Sequence, residues 1–228
     1  MQILGIHVTP GQQVEFIAWS ISTTMAIANF SSLPSSLKAS TEVNGPPKDT
    51  STGLEPLIMP LQMLVVFPTV LYPVIAPLVK RFRGPIFAEA YRLPNLPEKV
   101  DPHVQLLVRL GGGLAGMLIA RVLTQSTFRE LGYHLHGILV RERTSTIVDT
   151  GMYSIIRHPL YATALLWTAS SSLLYWNYIP LMLSAALATV FAIKIPVEEK
   201  YILEDKLIGP KYRLYQSKVP YRMIPYIY

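Results

Sequence analysis

The chain has 228 residues, of which 50% are hydrophobic and 15% are charged, and its mean hydropathy of +0.33 favours a membrane protein that forms one structural unit. Its net charge of +6 comes from basic residues beside apolar runs rather than from one continuous stripe, so we expect anionic lipid and no nucleic acid as the partner. The absence of cysteine excludes disulfides, cysteine-zinc sites and thiol nucleophiles.

The first predicted elements are two apolar segments separated by a loop. Residues 14–30 make a marginal span because they include Glu15 and several Ser and Thr, and the lack of a basic start argues against a cleavable signal. Residues 31–56 are rich in Ser, Thr, Pro, Gly and Asn, which indicates a loop. Residues 57–79 are long and apolar enough to cross a bilayer, although their prolines should bend the helix.

A third span is predicted at residues 104–123, after a Pro-rich connector. Its glycines include Gly112 and Gly116, which have the GxxxG spacing that permits close contact between membrane helices. We interpret the glycines as packing residues rather than as a cofactor-binding loop.

The central prediction is a helical hairpin within residues 159–197, which are apolar for almost their whole length and are interrupted near Asn177 and Pro180. Two helices of about 17 residues each, joined by a tight turn, fit this length. Because the hairpin crosses the membrane and returns, its start and its end should lie on one face. The residues thus brought to one face are Arg157, His158, Lys194, Glu198 and Glu199.

The segment after the hairpin is strongly basic, and the positive-inside rule places it in the cytosol. Five full spans would put the basic stop after residue 79 on the opposite side, so we expect one early segment to be re-entrant or to lie along the interface. The predicted fold is an all-α, polytopic transmembrane bundle of about five spans with a cytosolic C-terminal helical region. Residues 1–123 would supply N-terminal helices and loops, and residues 124–228 the core of the same structural unit. The basic residues are Lys80, Arg81 and Arg83 at the stop, and Lys200, Lys206, Lys211, Arg213, Lys218 and Arg222 near the C-terminus.

Arg157 and His158 stand directly before a helix that begins with Pro159, a favoured first helical residue. Free backbone N–H groups, the helix dipole and the Arg157 guanidinium together predict a carboxylate site there. Spacing alone favours a different interpretation, in which the two basic side chains anchor the helix at the lipid headgroups.

Glu198 and Glu199 could together hold a cationic or amino-bearing ligand, but the pair alone favours carboxylates that are solvated after a span. Lys194, one turn before Glu198, could pair with it or snorkel. We interpret Tyr212, Tyr215 and Tyr221 as an interfacial aromatic belt, and we expect no metal at His134 and His136 because no carboxylates accompany them.

Three motifs in this order resemble the isoprenylcysteine carboxyl methyltransferase and phospholipid methyltransferase superfamily. They are Val148-Asp149-Thr150-Gly151-Met152-Tyr153, then His158-Pro159-Leu160-Tyr161, then Glu198-Glu199, and Tyr212-x-x-Tyr215, Val219-Pro220 and Pro225 extend the likeness, which covers residues 132–228.

The resemblance implies that S-adenosylmethionine binds in a mostly membrane-enclosed pocket. It also implies that Lys194 occupies the position of a substrate-contacting arginine. Ser145, Lys194 and Thr163 depart from the usual His, Arg and Gly of the family. The implied cofactor-binding residues are Ser145, Thr146, Ile147, Val148, Tyr153, His158, Pro159, Leu160, Tyr161 and Glu198.

The expected activity is methylation of the carboxylate of a C-terminal prenylated cysteine in the endoplasmic reticulum membrane, with the active site facing the cytosol and no metal. A carboxylate is ionised at pH 7 and needs only cationic groups such as Arg157 and Lys194 to position it. Methylation of a phospholipid amine, with Glu199 or His158 as base, is an alternative, as is methylation of another lipophilic small molecule. Two further classes of protein stay open, an NADPH-dependent sterol reductase and a non-enzymatic lipid-binding scaffold.

Overall fold

The computed structural model describes residues 2–3, 6–7, 10–31, 38, 40–42, 57–80, 86–97, 101–132 and 146–228. Two short antiparallel strands, β1 (Gln2–Ile3) and β2 (Ile6–His7), precede the helices. A π-helical turn (Val108–Gly112) and 3₁₀ turns (Glu89–Tyr91 and Gly151–Ser154) connect them. The helices are α1 (Pro10–Phe30), α2 (Ile58–Val79), α3 (Pro102–Leu107), α4 (Gly113–Leu131), α5 (Pro159–Tyr175), α6 (Tyr178–Glu204) and α7 (Gly209–Lys218).

Three helical stretches, Ile58–Val79, His103–Leu131 and Tyr178–Glu204, are long and apolar enough to cross a membrane. Many large apolar side chains on α2 face outward, and Leu64 is 70% exposed. An apolar outer surface of this kind suits lipid rather than water. The predicted all-α membrane bundle is therefore confirmed, while the number of spans stays a prediction.

The predicted hairpin is formed by α5 and α6. Asn177 caps α6 with its side-chain oxygen, which accepts a hydrogen bond from the backbone N–H of Ile179 at 2.9 Å. The length of α5 is the predicted one, 17 residues, but α6 has 27 and continues beyond residue 197. The helix does not end at its charged residues because Glu198 and Glu199 have buried partners there.

We call the end of the bundle that carries Arg157 and Glu199 the site end, and the opposite end, which carries Asn177, the turn end. Both α1 and α2 are continuous helices. That one early segment is re-entrant or lies along the interface stays a prediction. Lys80 lies at the turn end, where its Nζ donates to the carbonyl of Ile86 at 3.1 Å. Arg81 and Arg83 lie outside the described residues.

The helices α4 and α5 approach each other closely at two glycines. A Cβ added to Gly113 would lie 2.7 Å from the Leu174 Cα, and a Cβ added to Gly116 would overlap the Ser170 side chain. Gly112 has its nearest such neighbour at 3.8 Å. The packing interpretation is therefore confirmed, but the pair in close contact has i,i+3 spacing and is not the predicted GxxxG pair.

Candidate active site

The site end holds a cluster of buried charged side chains from three distant parts of the chain. Arg157 precedes α5, Glu199 lies in α6, and Arg222 lies after α7. The Arg157 Nε donates to Glu199 Oε1 at 2.7 Å, and the Arg222 Nε donates to Glu199 Oε2 at 3.1 Å. Each oxygen of the Glu199 carboxylate is thus committed to a guanidinium, and the residue is 3% exposed.

Arg157 also ties the hairpin to the C-terminal segment. One of its terminal nitrogens donates to the carbonyls of Val219 and Pro220, both at 2.7 Å. The side chain is buried, so headgroup anchoring is wrong for this residue. The carboxylate predicted at this helix start is present, but it is the protein's own Glu199.

Glu198 forms a second group of contacts beside the first. The Tyr161 hydroxyl donates to its Oε1 at 2.7 Å, and the Lys194 Nζ lies 3.5 Å from the same oxygen. The His158 Nδ1 lies 3.8 Å from Oε2. Because Glu198, Glu199 and Lys194 are all buried, the alternatives of solvated carboxylates and a snorkelling lysine are wrong. These contacts bring Arg157, His158, Lys194, Glu198 and Glu199 to one end of the bundle, as the hairpin predicted.

Tyr161 is held by ring contacts as well as by its hydroxyl. Its ring stacks between those of His158 and Phe191, with centroid distances of 5.5 Å and 4.3 Å. The Lys194 ammonium lies over the same ring, 5.0 Å from its centroid. Pro159 and Leu160 form the first turn of α5 that presents Tyr161 to the cluster.

Gln62 of α2 is a member of this site that the sequence analysis missed. Its Oε1 accepts a hydrogen bond from the Lys194 Nζ at 2.6 Å. Gln62 is the single amide side chain in the apolar segment 57–79, and a polar group in such a segment is a signal that could have identified it.

The segment that precedes α5 contacts α7 through Ile147. Half-buried Ile147 packs against a buried group that includes Tyr212 and Tyr215, next to half-buried Val148 and exposed Thr146. Ser145 lies outside the described residues, as do His134 and His136.

The backbone conformation and the close packing at residue 151 favour glycine. Its φ of 55° lies in the left-handed region, and an added Cβ would be 2.9 Å from the Glu130 side chain. The Thr150 hydroxyl donates to Glu130 Oε2 at 2.6 Å. This turn therefore joins α4 to the segment that leads into Tyr153.

The predicted aromatic belt is wrong for Tyr212 and Tyr215, which are buried. The Tyr215 hydroxyl donates to the carbonyl of Tyr153 at 2.7 Å, and the Tyr212 hydroxyl lies 3.4 Å from Glu199 Oε1. Burial raises the pKa of all three phenols, Tyr153 included, well above the usual value. Tyr212 and Tyr215 are protonated at neutral pH and donate these hydrogen bonds.

A cavity of about 240 Å³ extends from the cluster into the bundle. Tyr161 and Gln62 line it at the site end, and Ser22 and Tyr175 line it toward the turn end, where their hydroxyls are 2.6 Å apart. The helix rise from Tyr161 to Tyr175 is about 21 Å. Most of its wall is apolar, so a lipid-like chain would fit it.

Residues 113–204 match the model of the isoprenylcysteine carboxyl methyltransferase (ICMT) family. The chain is similar to the protein-S-isoprenylcysteine O-methyltransferase of Schizosaccharomyces pombe, with 27% identity over 110 residues, which are 47% of this chain and 46% of that protein. It is also similar to protein-S-isoprenylcysteine O-methyltransferase B of Arabidopsis thaliana, with 30% identity over 111 residues, which are 47% of this chain and 55% of that protein. The chain therefore spans about half the length of the curated relatives it matches.

Proposed function

We propose that the chain is a member of the isoprenylcysteine carboxyl methyltransferase family and that it methylates the carboxylate of a C-terminal prenylated cysteine with S-adenosylmethionine as donor. The observation that carries the proposal is the apolar cavity that meets the buried polar cluster at Tyr161 and Gln62. A lipid tail would occupy the cavity, and its carboxylate head would lie at the site end. The enzyme would reside in the endoplasmic reticulum membrane, with the site end and its basic C-terminal segment in the cytosol.

The polar cluster has a chemistry that suits the proposed cofactor. A buried carboxylate, Glu198, beside the stacked rings of His158 and Tyr161 favours a ligand that carries an amino group and a cationic centre. When bound, S-adenosylmethionine supplies a methyl group already activated on a sulfonium. The residues proposed to hold it are Ser145, Thr146, Ile147, Val148, Tyr153, His158, Pro159, Leu160, Tyr161 and Glu198.

The protein's remaining task is to align the acceptor and exclude water. Lys194 supplies positive charge behind the site end of the cavity, which favours an anionic acceptor head. Arg157 and Glu199 act as positioning residues, because their polar atoms bind each other and the C-terminal segment.

An amine acceptor, as in a phospholipid N-methyltransferase, is the second candidate. It would have to lose a proton to a base, and the oxygens of Glu199 are already committed to Arg157 and Arg222. The Lys194 ammonium would also repel a protonated amine. Both features favour the carboxylate acceptor.

The direct test uses purified protein in lipid nanodiscs with methyl-labelled S-adenosylmethionine. We expect label to appear in N-acetyl-S-farnesylcysteine and to be released as methanol by alkali, because methyl esters hydrolyse there. Alkali-stable label in phosphatidylethanolamine would instead support the amine acceptor. Calorimetry with S-adenosylmethionine tests the scaffold alternative, since a scaffold would give no heat of binding, and cofactor binding without transfer to the prenylcysteine would reject the proposed substrate.

A further inference from the structure

We propose that Gln62 is the side chain that contacts the acceptor carboxylate, and that Lys194 positions Gln62 rather than touching the acceptor itself. The inference rests on the proposed function, since it names the group that would recognise the acceptor head. It concerns a residue outside the region that matches the methyltransferase family. Its starting point is that Gln62 and Tyr161 line the cavity, whereas Lys194 is absent from its wall and is 3% exposed.

The hydrogen bond between the two side chains sets the orientation of the amide. The Lys194 ammonium carries donors and no acceptor, so the Gln62 atom that faces it at 2.6 Å must be the oxygen. The NH₂ group of Gln62 is then the other arm of the same planar amide and is not the atom that faces the ammonium. Within the described residues no acceptor is paired with this NH₂ group, so two N–H donors are available to a ligand in the cavity.

Lys194 strengthens those donors without leaving its buried position. A charge-assisted hydrogen bond to the amide oxygen polarises the amide and makes its N–H groups better donors. The ammonium is also 3.5 Å from Glu198 Oε1, which holds it on the cofactor side of Gln62. The pair therefore presents polarised N–H groups, rather than a bare cation, to the acceptor.

This arrangement suits the charge change of the reaction. A carboxylate loses its negative charge as its oxygen bonds to the methyl group, so a direct ion pair to an ammonium would stabilise the starting state more than the transition state. Amide N–H groups can donate both to the carboxylate and to the carbonyl oxygen of the ester product. Gln62 can thus orient the acceptor carboxylate and lower the nucleophilicity of that carboxylate less than a direct ion pair would.

The test compares Gln62→Met, which removes both donors at similar size, with Gln62→Glu, which places a negative charge at the cavity wall. The matched control is Gln105→Met in α3, at the turn end. The ligands are N-acetyl-S-farnesylcysteine and its carboxamide, which differ only at the acceptor head. The measurements are the KM and kcat for the acid and the inhibition constant of the carboxamide.

We expect Gln62→Met to raise the KM for the acid about tenfold and to weaken inhibition by the carboxamide less, because the acid loses a charge-assisted contact and the carboxamide a neutral one. Gln62→Glu should bind the carboxamide more tightly than the acid, and Gln105→Met should match the unchanged protein. An unaltered preference for the acid in Gln62→Met would overturn the proposal. Lack of methyl transfer by the unchanged protein would refute the proposed function instead, before any variant is compared.

A second measurement separates the positioning role of Lys194 from direct contact. If Lys194 acts through Gln62, the Lys194→Met change should raise the KM for the acid in the parent protein but add little to Gln62→Met. Multiplicative effects of the two changes would show that Lys194 acts independently of Gln62 and would refute the inference. Retained inhibition by the carboxamide in each variant checks that the cavity is intact.

Discussion

The two ends of the helix bundle each hold an arginine-carboxylate pair, but the pair is half-buried at the turn end and buried at the site end. At the turn end Arg109 pairs with Glu15 of α1 and donates to the carbonyl of Leu174, with side chains 14% and 20% exposed. At the site end the side chains of Arg157 and Glu199 are 7% and 4% exposed, and a further guanidinium shares the carboxylate.

The turn end holds helices together, whereas the site end also forms a site. The turn end is closed by the Asn177 cap and by the edge-to-face rings of Phe87 and Tyr175. The site end adds Glu198 and Lys194 beside an apolar cavity, and buried charges of this number cost desolvation energy that packing alone would not require. Charges so placed within membrane helices indicate a function.

The largest effect is expected from breaking the site-end pair. Glu199→Gln leaves two guanidinium groups without their carboxylate, and we expect a loss of about 3–5 kcal/mol in the free energy of unfolding. Denaturant unfolding in detergent measures it. The control is Glu204→Gln, whose ion pair with Lys200 is exposed and should contribute less than about 1 kcal/mol. If the two changes lowered the free energy of unfolding equally, the buried pair at the site end would contribute no more to stability than the exposed pair.

Removal of the Tyr161 hydroxyl tests whether the cluster serves a ligand. Tyr161→Phe removes a hydrogen bond to a charged group, worth about 1.5–3 kcal/mol, and should weaken binding of S-adenosylmethionine at least tenfold by calorimetry. Tyr178→Phe, at a half-exposed position of the turn end, is the control and should bind normally. An unchanged affinity in Tyr161→Phe would remove Glu198 and Tyr161 from the proposed cofactor site.

Packing nearer the turn end should affect stability without affecting chemistry. Gly113→Ala forces a methyl group against the Leu174 backbone, and we expect a loss of about 1–3 kcal/mol with normal activity per folded molecule. Gly111→Ala is the control, since nothing lies within 4 Å of its added Cβ. If both variants are equally stable, the close approach of α4 and α5 is absent in solution.

The smallest expected effect concerns the length of the lipid tail. Val74→Phe fills the cavity toward the turn end and should disfavour geranylgeranyl relative to farnesyl acceptors by about 1 kcal/mol in kcat/KM. Val79→Phe, on the exposed end of α2, should leave the ratio unchanged. A ratio that does not move in Val74→Phe would place the lipid tail outside this cavity.

The hairpin and its charged ends were predictable because they depend on local information. An apolar run of about twice the length of one span, with a break near Asn177, can only cross and return, so Arg157 and Glu199 had to share a face. The same logic could not predict that α6 continues to Glu204, because that depends on partners supplied by other elements. Those partners are the Tyr161 hydroxyl for Glu198 and the guanidinium of Arg222 for Glu199.

The sequence by itself determined the membrane class, the all-α architecture, the hairpin and the resemblance to a methyltransferase family, since composition, apolar run length and motif order are properties of neighbouring residues. Only the tertiary structure decided that Gln62 joins Lys194, that Tyr212 and Tyr215 face inward, and that Gly113 rather than Gly112 meets α5. Each of these outcomes is set by the rotation of one helix against another. That rotation follows from packing between segments many residues apart, and local patterns do not encode it.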